Sequence, residues 1–449
     1  MRIASGQGFW GDLQTAPLDQ VSKGPVDYIV MDFLAEVTMS ILRKQKKRNP
    51  DLGYAKDVLL ITEQILPICV EKKIKIITNG GGVNPNACCE GVLKIARKKG
   101  IRGLKIGVVG GDDILDGIEH LRNQGISFEN LDTGESFQDV GQKISSANVY
   151  FGAAPIVAAL QQGADIVITG RTTDTGLTLA PMVYEFGWEE DDWDKLASGT
   201  IAGHILECGG QASGGNFSAD WRAVPDLAHI GFPIAEAYPD GTIVITKHEQ
   251  TGGMVTVQTV KEQLLYEIGD PTRYVTPDVI ADFTTINLEQ EAENRVRMSG
   301  VKGKPSTATY KVSMAYQDGY TAVGSLTFSW PDALEKARHA DEVLRTRLKD
   351  AGLSFEAIHT EFLGLNSCHG PIAETPSVVN EVVLRVGVRS QSHADVERFG
   401  KEIAPLILTG PPGVTGFAGG RPKPSEVVSY WPALIPKSAV SPTVIIRQA

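Results

Sequence analysis

The sequence predicts an α/β fold: an N-terminal, mostly parallel sheet with helices on both faces, followed by a C-terminal α+β domain. Three observations carry this. Short β-branched runs at 2–4, 28–31, 74–77, 104–109 and 164–168 precede loops rich in glycine and polar side chains. Stretches of helical periodicity separate most of these runs, and alternating strand and helix favours a parallel sheet covered on both faces. The second half keeps the alternation but loses the glycines at the strand ends.

Each element has a local reason. Phe33, Leu34, Val37, Ile41 and Leu42 recur at helical spacing, as do Val58, Ile61, Ile65 and Cys69, with Pro67 as a kink position. Val92, Leu93, Ile95 and Ala96 mark a third helix. A Pro/Gly stretch at 231–240 precedes the strand-like run 241–246 and sets an expected boundary between a ligand-binding, catalytic domain at 1–235 and an α+β domain at 236–449. Beyond it, 322–330 and 378–388 read as strands, and 331–351 and 392–408 as helices. That order suits a split βαβ sandwich.

Composition narrows the function. A chain of 449 residues is too long for one ordinary core, so two domains are expected. The formal net charge of -11 argues against a nucleic-acid partner, which needs clustered Lys and Arg. The basic run 43–48 follows an amphipathic pattern and reads as a solvated helix end. Five cysteines at irregular spacing, with no CxxC pair and no secretory signal at Met1, imply reduced thiols and a cytoplasmic location. No apolar run approaches the roughly 20 residues of a membrane span. Residues 444–449 carry no lipidation or peroxisomal signal.

Ligands of parallel sheets bind outside the carboxyl ends of the strands, so the loops there matter most. Thr78-Asn79-Gly80-Gly81-Gly82-Val83-Asn84-Pro85 directly follows a strand. Asn84 suits an N-cap and Pro85 the first helical position. Glycines that let backbone N–H groups approach an anion, beside a helix N-terminus, make Asn79, Gly80, Gly81, Gly82 and Asn84 substrate-binding candidates. A ligand-free strand-to-helix turn is the alternative.

Thr169-Gly170-Arg171-Thr172-Thr173-Asp174 also follows a strand. The Arg171 guanidinium suits a carboxylate or phosphate. Gly170, Arg171 and Asp174 join the binding set, with an Arg171–Asp174 structural pair as the bland alternative. Asp32 and Glu36 follow the strand at 28–31 and are acid/base candidates, although Asp32 could be only an N-cap. His204 and Glu207 stand three apart and share a helix face, which suits proton transfer or holding a metal, and Gly209 fits the residue after that helix. Their alternative is a satisfied core histidine beside an exposed glutamate.

Other signals read as caps or packing. Asp112 and Asp113 fit an N-cap and a first-turn charge, or an acidic pair binding a hydroxyl or metal. Cys88 and Cys89 near a helix start fit core packing better than a reactive thiol. Gly6-Gln7-Gly8-Phe9-Trp10-Gly11 matches GxGxxG, but the segment after it contains Pro17 and no apolar helix, so it reads as a substrate loop. P-loop, zincin and GxSxG motifs are absent from the sequence. No metal ligands and no cofactor are assigned. The segments 410–416 and 419–424, with Arg421 and Lys423, fit either a lid over an anionic ligand or an irregular surface strap.

In order, the motifs Gly8-Phe9-Trp10-Gly11-Asp12, Asp32-Phe33-Leu34-Ala35-Glu36, Asn79-Gly80-Gly81, Ile168-Thr169-Gly170-Arg171, Gly203-His204 through Glu207-Cys208, Gln211 and Gly214-Gly215 resemble the acyclic terpene utilisation protein AtuA family. The resemblance covers most of the chain and is strongest over 1–280. Many relatives carry a further small C-terminal module, which this chain is read as lacking. The resemblance implies a place in the breakdown of citronellol- and geraniol-type acids through CoA thioesters.

Two functional readings follow. The first is an enzyme of branched or acyclic carboxylic-acid or acyl-CoA catabolism, a lyase, hydratase or isomerase using acid/base chemistry without a redox cofactor. Arg171 and the 79–84 loop would hold the anion, and Asp32, Glu36, His204 or Glu207 would move the proton. Its partners would be a small organic acid or acyl-CoA and, as a homo-oligomer, copies of itself. The second is a non-catalytic accessory or scaffold subunit of a CoA-dependent degradation pathway. A metal-dependent hydrolase ranks third.

Overall fold

Strands and helices alternate from the first residues of the computed structural model, which describes residues 1–374, 376, 378–415 and 419–449. β1 (Arg2–Gln7) leads through α1 (Ala16–Ser22) to β2 (Tyr28–Met31). Then α2 (Glu36–Arg48) and α3 (Asp57–Lys72) lead to β3 (Lys75–Thr78), and α4 (Pro85–Lys98) to β4 (Lys105–Gly110). The short α5 (Ile118–Asn123) precedes β5 (Ile144–Val149), α6 (Ala154–Gln161), β6 (Ile166–Thr169), α7 (Asp174–Phe186) and α8 (Trp193–Leu206).

β1, β2, β3, β6 and β4 pair in that order, all parallel. All four residues of β2 and of β6 are buried, as strands covered on both faces must be. Side chains of α3 and α4 form the core on one face, and those of α6, α7 and α8 the core on the other. β3 is therefore followed by a helix on one face and its neighbour β6 by a helix on the other. Such divergence opens a crevice at the carboxyl ends of the two strands. The basic run ends α2, with Lys46, Lys47 and Arg48 in its last turn, where cations meet the negative end of the helix dipole.

The sheet continues well past residue 235. β7 (Ile234–Ala237) pairs antiparallel with β1, and β8 (Ile243–Thr246) with β7. After α9 (Val257–Leu265), β9 (Tyr274–Val275), β10 (Ile280–Asp282) and β11 (Asn287–Ala292), β12 (Arg295–Ser299) pairs with β8 and with β11. β13 (Lys302–Lys304) joins β10 and β9 in a small sheet, and β14 (Thr309–Ser329) follows. The expected boundary at 235/236 thus falls inside β7. The Pro/Gly stretch is a hairpin, with Gly241 at φ 87 and Tyr238 N–H bonded to Thr242 O at 3.0 Å. Ala235, Ala237, Ile243, Ile245, Val296 and Met298 complete the core beneath α8, which binds these strands to the first unit.

The chain divides instead into Met1–Ala315 with Tyr430–Ala449, and Tyr316–Ser429. In the second unit, β14 leads to α10 (Ala333–Asp350), β15 (Ala357–Leu363), β16 (Glu381–Ser390), α11 (His393–Ile403) and the short α12 (Leu406–Thr409). The order β15-β16-β14 is antiparallel, giving the expected split βαβ plan. Ala337, Leu344, Val396 and Phe399 pack from the helices onto Leu326, Phe328, Leu384 and Val386. β17 (Val414–Thr415) pairs with β14, so the 410–415 segment ends in a sheet pairing; Gly416 lies outside the described residues. β18 (Ser425–Pro436) leads to β19 (Thr443–Gln448), which pairs antiparallel with β4 at the far edge of the large sheet. Among the described residues no helix is long and apolar enough to cross a membrane.

Candidate functional site

The loops that leave β2, β3, β4 and β6 meet around Arg171. It is only 3% exposed, so each of its donors needs a partner. Nη1 donates to Leu34 O at 2.7 Å and to Asp174 Oδ1 at 2.9 Å, and Nη2 donates to the Tyr150 hydroxyl at 3.0 Å. Nε is buried with no partner. The guanidinium also lies 4.2 Å from the centre of the Tyr150 ring. Burial works against its charge, but Asp174, Tyr150, Asp32 and Glu36 outweigh that, and Arg171 stays firmly protonated. The ion pair with Asp174 weighed from the sequence is present. Protein oxygens take both Nη1 bonds and one of Nη2, and Arg171 also lines the adjacent cavity, so its expected role in gripping a ligand anion stands as a proposal.

Asp112 explains why the loop needs Gly170. Its Oδ2 accepts the Arg171 backbone N–H at 2.9 Å and Asn148 Nδ2 at 2.8 Å. A Cβ on Gly170 would stand 2.1 Å from Asp112 Oδ1. Burial pushes the Asp112 carboxyl up to about 6 in spite of those two donors. Asp112 therefore pins a loop rather than capping a helix, and Asp113 pairs with Arg43 instead.

Asp32 and Glu36 are tuned in opposite directions. Asp32 is 6% exposed; its Oδ1 accepts Asn79 Nδ2 at 2.6 Å and Leu34 N at 3.0 Å. Burial, then the nearby Asp174 carboxylate, raises it well above the usual carboxylate range against the pull of Arg171. Burial also opposes ionisation of Glu36. There the Arg171 charge, a helical N–H, the Tyr150 hydroxyl at 2.9 Å and Lys311 win, and its carboxyl sits below the ordinary range. Ala35, not Asp32, occupies the N-cap of α2.

The glycine triplet is a packing device in this fold. A Cβ on Gly80 would lie 2.3 Å from Val58 Cγ2, one on Gly81 2.5 Å from Thr169 O, and one on Gly82 2.4 Å from Leu42 Cδ1. The N–H groups of Gly80, Gly82 and Asn84 bond within the loop, and that of Val83 bonds Gly53 O. Asn84 donates its amide to Pro50 O and Leu52 O, at 2.7 and 2.8 Å. The N–H groups of Gly80, Gly82, Val83 and Asn84 are thus held by protein oxygens, and the expected anion-binding role of the loop stands as a proposal. Asn79 remains at the site, because its Oδ1 holds Phe33 N at 2.8 Å while its amide holds Asp32.

His204 and Glu207 meet as their spacing predicts, Nδ1 to Oε1 at 2.7 Å, with side chains 2% and 14% exposed. Burial depresses the imidazole's proton affinity, but Glu207 more than offsets it, and the pKa is raised. Glu207 is itself raised, by burial first, against His204. The ring packs near Tyr274 and Phe283, with Nε2 unpartnered. Burial, then Glu207, takes the Cys208 thiol up to about 12, and burial takes Cys89 up to about 11, so neither favours a thiolate at neutral pH.

Beside this network lies a cavity of about 530 Å³. Glu36, Tyr150, Arg171 and Asp174 line it together with Arg273, Tyr274, Thr276 and Lys311. Asp32, Asn79, His204 and Glu207 do not reach it. Lys311 Nζ stands over the rings of Tyr150 and Tyr430, at 5.2 and 5.5 Å from their centres. Arg273 makes no ion pair within 4 Å among the described residues. Sequence reasoning missed Tyr150, Arg273, Tyr274 and Lys311. Only Tyr150, at the end of a β-branched and polar run, carried a local signal. Among the described residues no group of three or more His, Cys, Asp or Glu side chains converges as a metal site would.

These loops carry the motifs that tie the chain to other proteins. The family model described as acyclic terpene utilisation family protein AtuA matches residues 1–446. The chain belongs to this family. No curated protein and no solved structure matches it. The motifs quoted for the family gather at one edge of the sheet. A Cβ on Gly8 would sit 2.8 Å from Cys208 C and 2.9 Å from Glu207 O, so the first motif touches the Glu207-Cys208 motif, and Asp12 Oδ2 holds the Gly8 N–H at 2.8 Å. In this family member Asn79 binds Asp32 directly, and Arg171 binds Leu34 within the same motif as Glu36.

Proposed function

We propose that this chain is an enzyme of acyclic or branched carboxylic-acid catabolism, using acid/base chemistry of the lyase, hydratase or isomerase type on a free acid or its CoA thioester. The observation that carries the reading is the opposite tuning of Asp32 and Glu36 about Arg171, with only Glu36 facing the cavity. Two carboxyls whose environments separate their proton affinities mark a proton-transfer site.

Glu36 is the base: ionised, cavity-facing and held by the Tyr150 hydroxyl. Lys311 and Arg273 hold the ligand's anionic group, and Leu131, Val275 and Leu434 receive its apolar chain. Arg171, Asp32 and Asn79 position the base and keep its charge stable. Glu36 removes a proton from the carbon next to the substrate's carboxyl or thioester carbonyl, then returns it to carbon or to a departing hydroxyl. The family name, acyclic terpene utilisation, supports a substrate derived from an acyclic terpene.

The test is a panel of branched acids and their CoA thioesters, followed by thermal shift and by mass spectrometry of products. Glu36→Gln should keep the ligand-induced shift and lose about 100-fold or more in turnover. Full turnover by this variant overturns the assignment. No shift across the panel, together with a stoichiometric protein partner recovered from cell extract, would favour a non-catalytic accessory subunit instead.

A further inference from the structure

Beside the C-terminal end of α1, residues from β1, β8 and β12 and the segments next to them surround a second cavity, of about 570 Å³. Arg2, Lys23, Lys247, His248 and Arg295 line it. Lys247 is only 5% exposed, and among the described residues no carboxylate lies within 4 Å of it. Its ammonium is met by backbone oxygen, Thr251 O at 2.7 Å. Burial works against this charge and lowers the lysine's proton affinity, while the Glu293 carboxylate favours the charged form. Arg2 and Arg295 both bind Glu236, each at 2.7 Å; Arg295 also lies 3.8 Å from Glu291, and Lys23 lies 3.1 Å from Asp19. The acidic residues of the lining, Glu249 and Glu293, are exposed.

His248 reports the same field. It is 6% exposed, its Nε2 meets Gln20 O at 2.9 Å, and its Nδ1 lies against Gly24, where a Cβ would come within 2.6 Å. Burial lowers its pKa, and Arg2, Lys23 and Lys72 lower it further, against the Gln20 carbonyl.

We infer that this cavity binds a phosphate-bearing anion, a phosphomonoester of a small organic molecule. Cations reaching in from several strands and one helix end suit the dispersed oxygens of a phosphate dianion better than a planar carboxylate. The cavity has room for more than an inorganic ion. None of its residues lines the cavity beside Glu36, so the site is independent of the proposed reaction.

His248 supplies the readout. Its Cε1–H resonance, assigned with His248→Gln, is followed by NMR through a pH titration of the whole protein. The protein is held in chloride, in inorganic phosphate, in glycerol phosphate or in malonate at equal ionic strength. A bound dianion favours the imidazolium, so either phosphate should raise the His248 pKa by about one unit over chloride. Lys247→Met should abolish that rise, and Lys23→Ala, a change at a half-exposed side chain, should diminish it without loss of fold. Identical titrations in phosphate and chloride, or a rise that survives both substitutions, overturn the site. A rise in malonate as large as in phosphate overturns the phosphate class.

Discussion

Arg171 and Tyr150 are joined twice. The guanidinium lies over the phenol ring, 4.2 Å from its centre, while Nη2 donates to the hydroxyl at 3.0 Å. That hydroxyl donates onward to Glu36 at 2.9 Å. One buried cation thus fixes both the position and the charge of the cavity's carboxylate. A planar, forked cation is needed for this, because stacking and three separate acceptors use its whole shape.

Arg171→Lys should therefore behave as a severe change. It keeps the charge but cannot serve Leu34 O, Asp174 and Tyr150 together. Urea unfolding should show a loss of about 3 kcal/mol, in the range for breaking a buried ion pair. A loss under about 0.5 kcal/mol would mean that the network contributes little.

Gly170→Ala should cost about 2 kcal/mol, as overpacking of a filled site does. The new Cβ meets Asp112 Oδ1 at 2.1 Å. Adding Asp112→Ala removes the obstructing Oδ1 and Cγ, so the two changes should be non-additive by more than about 0.5 kcal/mol in a double-mutant cycle. Simple additivity would place the cost elsewhere in the loop.

Asp112 also gives the fold a pH dependence. Burial raises its pKa from 3.8 to about 6, so the folded state holds a proton that the unfolded chain has released. Stability from this group is full below the unfolded value and falls as pH rises through that window. Asp112→Asn keeps an oxygen for the Arg171 N–H and for Asn148 but buries no charge. The variant should match the parent near pH 4 and exceed it by about 2 kcal/mol at pH 7. Asp32 and Glu207, raised in the same direction, are common to both proteins and cancel in the difference. Parallel stability–pH curves would refute the assignment.

Glu207→Gln should reverse the behaviour of His204. With the carboxylate gone, burial is the strongest remaining influence, and the His204 pKa should move from above the ordinary histidine value to below it. NMR of the ring protons reads this directly. A pKa still above that of an exposed histidine would show that another group carries the effect.

Much of this was legible in the sequence. The five parallel strands were marked by β-branched runs, because strands buried on both faces leave no place for polar residues. The His204–Glu207 pair was legible because helical spacing alone brings the two together. The crowding around the 79–84 loop was not legible, for a reason that is also physical. Three glycines serve equally where a backbone approaches a ligand and where side chains crowd a turn, and Val58, Thr169 and Leu42 come from distant segments.

The sequence by itself determined the layered α/β plan, the family, and the strand ends that carry Asp32, Glu36, Asn79 and Arg171. Tertiary structure decided which of these face a cavity. It turned Arg171 inward as an organiser, left Asp32 beneath the surface, and brought Tyr150, Arg273, Tyr274 and Lys311 to the cavity that Glu36 lines. It also bound 236–315 and 443–448 into the first unit. Strand pairing and charge burial join residues hundreds of positions apart, and the proton affinities of Asp32 and Glu36 follow from that enclosure rather than from any local pattern.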